Sequence, residues 1–421
     1  MTHLKKGSSY SALLKHIESI RIIKSKNNLF LNPMRISESN FKMLAKTFYG
    51  FEELLEQELC ALGAKKTSKT NRMVSFWGDL GFLYKANLCL RTALKILVPL
   101  HHHVVKDYDE LYNIFNLYPW EDYLDVDQSF AIDSVVFGNR FTHGQYALQR
   151  AKDGIVDRFQ NKIGKRPNVS INHPDLKINI HIQGDQCTFS IDSSGKSLHH
   201  RGYRTATNIA PINEVLAAGI IKLSNWEVST DFLDPMCGSG TFVIEAALMA
   251  ANLPANLNRK KYAFQSWPNW DQTLFDKIKK GQSAKFKKPS IKILGADKSP
   301  SAIEKALNNA ENAGVAEWVS FEEVNFFRQK KYTEMTHILT NPPYGKRLEG
   351  NINALYKSIG DTFKQSFLQA NAWIISSNFE ALKHIGLRPS KKIKLFNGKL
   401  ESRLLYFPIY EGTKRIHKLK N

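Results

Sequence analysis

A chain of 421 residues is too long for one ordinary hydrophobic core and long enough for two or three domains. Its apolar fraction of 43% is ordinary for a globular protein, and stretches such as Val243 to Leu253 (VIEAALMAANL) fall well short of the roughly 20 residues a membrane span needs, so no membrane partner is expected. A formal net charge of +20 favours polyanions, of which nucleic acid is the common cytoplasmic one, although lysines solvated over the whole surface would give the same composition.

Residues 1–41 show neither sustained periodicity nor an apolar core followed by a small-residue cleavage site; they read as a poorly ordered extension, and a cytoplasmic location is expected. Cys60, Cys89, Cys187 and Cys237 are scattered without a CxxC pair, which argues for reduced thiols and against a zinc site. From Phe41 onward, FKMLAKT reads as a strand, Tyr49-Gly50 as a turn, and FEELLEQELCALGA as an amphipathic helix closed by Gly63. MVSFWGD is a strand, and LGFLYKANLCLRTALKILVPL a helix running into a strand, giving a small α/β module over 42–100. His101, His102 and His103 follow, but neighbours on a strand point to opposite faces and no cysteine or carboxylate stands at ligand spacing, so no metal is expected.

A second α/β unit spans 101–197. LYNIFNLYPWEDY is helical up to Pro119-Trp120, SFAIDSVVFG is an alternating strand, QYALQRAKDGIVDRFQNKIG an amphipathic helix, and LKINIHIQG with QCTFSIDSSG a hairpin around Gly184-Asp185. A linker over 198–212 then carries His199, His200, Arg201, Tyr203 and Arg204. Two readings stay open for it: bases stacked on Tyr203 with phosphates on Arg204, or a strap clamped between domains, since both uses want the same residue types.

The chemistry gathers in a third domain, 213–421. PINEVLAAGIIKLSNW is an amphipathic helix, and STDFLDPMCGSGTFVIEAALMA gives a strand ending at Asp234, a turn with Gly238 and Gly240, and a long helix. Such a turn lets backbone amides approach an acceptor group, although an ordinary βα turn would look alike. IKILGADKSPSAIEKALNNAENAG ends its strand in Asp297, placed to accept both hydroxyls of a ribose, and VSFEEVNFF sets Asn325 after a third strand, where an amide can bond an adenine edge. THILTNPPYG is then a fourth strand with Asn341, Pro342, Pro343 and Tyr344 at its carboxyl end.

An exocyclic base amine is a poor nucleophile because its lone pair is delocalised into the ring. The Asn341 side-chain oxygen and the Pro342 carbonyl can accept hydrogen bonds from its two N–H groups, Pro343 helps hold the backbone extended, and Tyr344 offers a face for an extruded base. Lys346 and Arg347 are either phosphate contacts or solvated loop charge. LFNGKLESRLLYFPIYEG closes the chain as two strands around Asn397-Gly398.

DPMCGSG, the strand-end Asp297 and NPPY resemble the S-adenosyl-L-methionine-dependent methyltransferases that act on exocyclic amines of nucleobases, while AKDGIVDRF, KRPNV and SIDSSGKSLHHRGYR resemble THUMP, an RNA-binding module. From about Phe41 to Gly412 the chain resembles the bacterial 23S ribosomal RNA guanine-N2 methyltransferases. The resemblance implies a Rossmann-like, seven-stranded class I methyltransferase domain preceded by a ferredoxin-like α/β module and a THUMP domain, with ribosomal RNA or its precursor as partner. It further implies S-adenosyl-L-methionine as cofactor, with Asp234, Cys237, Gly238 and Gly240 at its methionine end, Asp297 at its ribose and Asn325 at its adenine. Related enzymes often carry Asp where this chain has Asn325, so that contact depends on how the amide is turned. The same chemistry would serve tRNA guanosine or adenine N6, and a nonenzymatic RNA-binding assembly factor would not need the intact cofactor loop. Fused relatives carry a second methyltransferase domain, for which this chain leaves no room, so one active site is expected.

Overall fold

In a computed structural model, residues 40–204, 211–328, 337–343 and 351–410 are described; the extension expected over 1–41 lies outside them except for its last two residues. The described chain forms two compact units, one built from Leu97–Gly195 with Ala263–Trp270, the other from Asn40–Ile96, Lys196–Tyr262 and the chain from Asp271 onward. The N-terminal module thus shares a unit with the segment that carries the chemistry.

That module runs β1 (Phe41–Lys46), α1 (Glu52–Leu62), β2 (Lys65–Thr70), β3 (Met73–Gly78) and α2 (Leu80–Cys89) before β4 (Lys95–Val104) leads into the other unit. The first three strands pair antiparallel in the order β2-β3-β1. Helix α1 ends where Gly63 turns left-handed at φ +100, a conformation that costs a residue without Cβ little, and its amide and that of Ala64 close on Cys60 and Leu59 at 2.9 Å. Strand β2, KKTSKT, escapes detection by alternation because it is polar on both faces and lies at the sheet edge.

The other unit contains α3 (Tyr108–Leu117), β5 (Ser129–Phe137), α4 (Gly144–Ile163), β6 (Asn168–Val169), β7 (Leu176–Gln183) and β8 (Gln186–Asp192), with strands ordered β4-β8-β7-β5-β6. AKDGIVDRF is the seam between its helices: Ala151, Ile155 and Phe159 are buried, and a Cβ on Gly154 would sit 2.6 Å from the Tyr112 carbonyl. Arg158 caps α3 by donating to the Asn116 and Leu117 carbonyls at 3.1 and 2.9 Å while pairing with Glu121. His101 and His103 stack on one face of β4, whereas His102 bonds Thr188 and Gln186 on the other, both at 2.9 Å.

The rest of the larger unit comprises α5 (Glu214–Leu223), β9 (Phe232–Asp234), α6 (Thr241–Ala250), α7 (Gln272–Ser283), β10 (Ile293–Asp297), α8 (Pro300–Ala313), β11 (Ser320–Glu323), β12 (His337–Thr340), α9 (Ile352–Ser366), β13 (Asn371–Ser376), α10 (Phe379–Lys383), β14 (Lys391–Asn397) and β15 (Leu400–Pro408). Among the described residues these strands make a seven-stranded sheet, β11-β10-β9-β12-β13-β15-β14, parallel except for β15, which runs antiparallel to both neighbours. Both faces are covered: Leu339 packs in a cluster with Val215 and Phe242, and its neighbour Ile338 in another with Tyr356 and Phe363. His337 opens β12 wholly inside the protein, its Nε2 at 2.9 Å from Ser224 Oγ.

Phe51 ties the N-terminal module to this sheet. Its ring is fully buried against α5, where a Cβ on Gly219 would approach Phe51 Cε2 to 2.0 Å. Burial of that side chain contributes about 2 kcal/mol.

Candidate active site

The four parallel strand ends that matter lie on one edge. Asp234 ends β9 and Asp297 ends β10, which are paired with Gly295 level with Asp234. Asn325 follows β11, the neighbour of β10 on the far side. On the other side of β9, Ile338 pairs with Leu233, which brings the chain leaving β12 at Asn341 alongside the DPMCGSG turn. In an open parallel sheet this edge, where strand order reverses, is where ligands bind.

Hydrogen bonds from the turn and its neighbours fix its shape. The Cys237 amide donates to the Ala296 carbonyl at 2.9 Å, Gly238 N to Asp297 Oδ2 at 3.0 Å, and Gly240 N to the Cys237 carbonyl at 2.9 Å. Ser299 N donates to the other Asp297 oxygen at 3.0 Å, and Asn309 of α8, wholly buried, reaches the Ser239 carbonyl from Nδ2 at 3.1 Å. Gly238 and Gly240 both take positive φ, +54 and +81, and the second is the residue from which α6 starts. Asp297 therefore braces the loop while each of its oxygens keeps a lone pair for a further donor.

Asp234 is buried, and desolvation pushes its carboxyl up to about 7 against the opposing Met236 amide. Cys237 is also buried, which drives its thiol well above its usual range and leaves its backbone, not its sulfur, as the useful group. Asn325 begins a 3₁₀ turn in which its Oδ1 accepts from Phe327 N at 3.1 Å, so the amide is oriented, with the oxygen already serving one donor. Asn341 and Pro343 are half-buried and Pro342 is buried. The donor set thus suits a nucleoside with a charged tail: a half-exposed carboxylate at the second strand end, amides in the turn, and a carboxamide at the third. Tyr344, Lys346 and Arg347 lie outside the described residues.

The linker residues go elsewhere, and this corrects their reading as substrate contacts. Tyr203 is 2% exposed and its hydroxyl donates to Glu245 Oε1 at 3.1 Å, so its ring has no free face for a base. Arg204 donates to Thr241 Oγ1 at 2.8 Å and the Ile212 carbonyl at 3.2 Å and pairs with Glu214 at 3.1 Å, which commits its guanidinium to the start of α6. Arg201, 1% exposed, reaches Glu245 and Asn256 Oδ1 at 3.4 and 3.1 Å. Arg201 also donates to the Leu90 and Arg91 carbonyls of the N-terminal module, as a strap would, whereas Tyr203 and Arg204 bond only to residues 212–245 in the contacts above.

Asn309 and Glu245 were not singled out in the sequence, although each is a polar residue on an otherwise apolar helix face. Asn309 follows Ala302 and Ala306 on the buried stripe of α8, a position that only a hydrogen-bonded amide tolerates.

Comparison with known proteins adds an independent line. The family described as "RMKL-like, methyltransferase domain" matches residues 201–405, the THUMP domain 105–192, and the RlmL ferredoxin-like domain 42–97. The ribosomal RNA large subunit methyltransferase K/L of Syntrophotalea carbinolica is 36% identical over 389 residues, covering 89% of this chain and 54% of that protein. The chain thus spans about half the length of the curated relatives it matches. Among solved structures, SMU.472, described as a methyltransferase and complexed with SAH, superposes with a TM-score of 0.79 at 30% identity over 90% of this chain and all of that one. A protein from Listeria monocytogenes described as a predicted N6-adenine-specific DNA methylase superposes at 0.78 with 27% identity over 88% of this chain and 97% of its own.

Proposed function

Because the chain belongs to the RMKL-like methyltransferases that carry a ferredoxin-like module and a THUMP domain, we propose that it transfers a methyl group from S-adenosyl-L-methionine to the N2 amine of a guanosine in 23S ribosomal RNA. The observation that carries this reading is the register of β12 on β9, which sets Asn341-Pro342 beside the glycine turn. When bound, the cofactor supplies an electrophilic methyl on a sulfonium. Asp297 would hold its ribose, Asn325 its adenine, and Asp234 with the amides of Cys237, Gly238 and Gly240 its methionine end.

The chain's own work is orientation. Asn341 Oδ1 and the Pro342 carbonyl would accept hydrogen bonds from the two amine N–H groups, which pulls the nitrogen toward a tetrahedral shape and frees its lone pair for in-line attack; a neutral thioether would be left behind and the displaced N–H proton would pass to water. Prolines at 342 and 343 restrict the backbone, so little entropy is lost in aiming that carbonyl. Desolvation at the buried strand ends strengthens both hydrogen bonds.

The same acceptor pair fits an adenine N6 amine, and the Listeria relative's description keeps that second reading in play. The THUMP match supports structured RNA over DNA, and the K/L relatives support ribosomal over transfer RNA. Nucleoside mass spectrometry of ribosomal RNA from a strain lacking the protein tests the choice: loss of N2-methylguanosine, restored by the wild-type chain, is expected. Loss of N6-methyladenosine instead would select the second reading, and an unchanged profile would favour a nonenzymatic role.

A further inference from the structure

We propose that the open face of the β2-β3-β1 sheet is a stacking platform for a single-stranded stretch of the RNA substrate, with Trp77 as the ring that meets a base. The inference rests on the RNA reading above and gives that RNA an attachment point outside the methyl-transfer site.

The register determines which side chains share the face. Lys42 and Lys65 both stand opposite Trp77, Leu44 and Ser68 opposite Ser75, and Lys46 and Thr70 opposite Met73. Opposed residues project to the same side of a sheet. The alternate set, Phe41, Met43, Ala45, Val74 and Phe76, is buried under the helices, so the first set faces outward. Along that face Lys42 and Lys65 are exposed, none of its members is fully buried, and Trp77 is half-buried on the middle strand; Lys66 is exposed in the irregularity between Lys65 and Ser68.

Charge and chemistry select the occupant. None of the three strands contains an acidic residue. Lys69, which belongs to the helix side, is neutralised by Glu53 and Glu56. Lys66 Nζ lies over the Trp77 ring, 5.6 Å from its centroid. Edge lysines alone would serve to block strand pairing. An indole in their midst has a different use: a flat π-face flanked by cations matches a base with its phosphates on either side, and RNA-recognition sheets of this α/β type place their stacking aromatics on the middle strands. A duplex keeps its bases stacked inside and cannot use such a ring.

The test titrates the full-length chain with a short single-stranded RNA of mixed sequence, and with a blunt duplex of that sequence as competitor. Trp77→Ala should weaken single-strand binding about 10-fold and Trp77→Phe only about 2-fold, with melting temperature and S-adenosylhomocysteine affinity unchanged. Ultraviolet crosslinking should place RNA on the peptide containing Trp77. Unchanged binding by folded Trp77→Ala would overturn the proposal; so would equal competition by the duplex, or a dimer of the chain that Trp77→Ala dissolves. Should Trp77→Ala not fold, the Lys42→Ala/Lys66→Ala pair decides: several-fold weaker binding supports the platform and unchanged binding overturns it. Methylation of ribosomal RNA by the wild-type chain, assayed in parallel, separates this surface from the parent reading. Methylation with no effect at Trp77 defeats the platform alone, whereas absence of both methylation and RNA binding defeats both.

Discussion

Asp234 carries the sharpest consequence at the scale of a single residue. Its carboxyl sits near 3.8 when unfolded and is pushed up to about 7 in the fold by burial. Between those values the native state holds a proton that the unfolded chain has released, so unfolding free energy falls as pH rises from about 4 to about 7. Asp234→Asn removes that penalty: it should be more stable than the wild type at pH 8, by about 2 to 4 kcal/mol, and the gain should vanish near pH 4. Thermal unfolding of both proteins across that range checks it, and a loss of stability at pH 8 would mean the carboxylate is charged and paired in the fold. His337 acts in the opposite sense. Burial lowers it from 6.5 to about 4, so its contribution is complete above about 6.5 and is lost as pH falls toward 4.

Elements place these residues, and two contacts between elements are open to test. Gly219 lets α5 lie against Phe51, and a methyl there would stand 2.0 Å from a ring that is itself fully enclosed. Gly219→Ala should cost about 1 to 3 kcal/mol in denaturant unfolding without a change in m value. Asn309 holds the Ser239 carbonyl from α8. Asn309→Ala should lower cofactor affinity several-fold by calorimetry, more than it lowers stability, because the loop loses its brace while the helix keeps its apolar stripe. How far such features can be read from sequence follows from their periodicity. The strand ends bearing Asp234, Asp297 and Asn341 were legible because apolar runs stop at chemically distinctive residues. Strand β2 was not, since KKTSKT alternates nothing, and the burial of Tyr203 and Arg201 was not, since Glu245 lies more than forty positions away and only the fold brings it near.

At the scale of the whole molecule the excess of 59 lysines and arginines over 39 acids predicts, on the proposed function, a salt-sensitive hold on RNA. Each phosphate neutralised on a single strand contributes a slope of about −0.7 in log affinity against log salt, so a slope steeper than about −3 is expected, and a flat dependence would assign the charge to solubility alone. No described helix is long and apolar enough to cross a membrane. The THUMP match and the platform proposed around Trp77 both suit nucleic acid as the polyanion. These contacts would bring RNA to the chain, but methyl transfer itself depends on the acceptor pair at the end of β12. The most direct measurement incubates the purified chain and its Asn341→Ala variant with unmodified 23S ribosomal RNA and S-adenosyl-L-methionine, then digests the RNA for nucleoside mass spectrometry while calorimetry follows cofactor binding. N2-methylguanosine from the wild type, at least about 100-fold less from the variant, and cofactor affinity within about threefold is the predicted result. N2-methylguanosine formed equally well by Asn341→Ala, or N6-methyladenosine from the wild type, would contradict it.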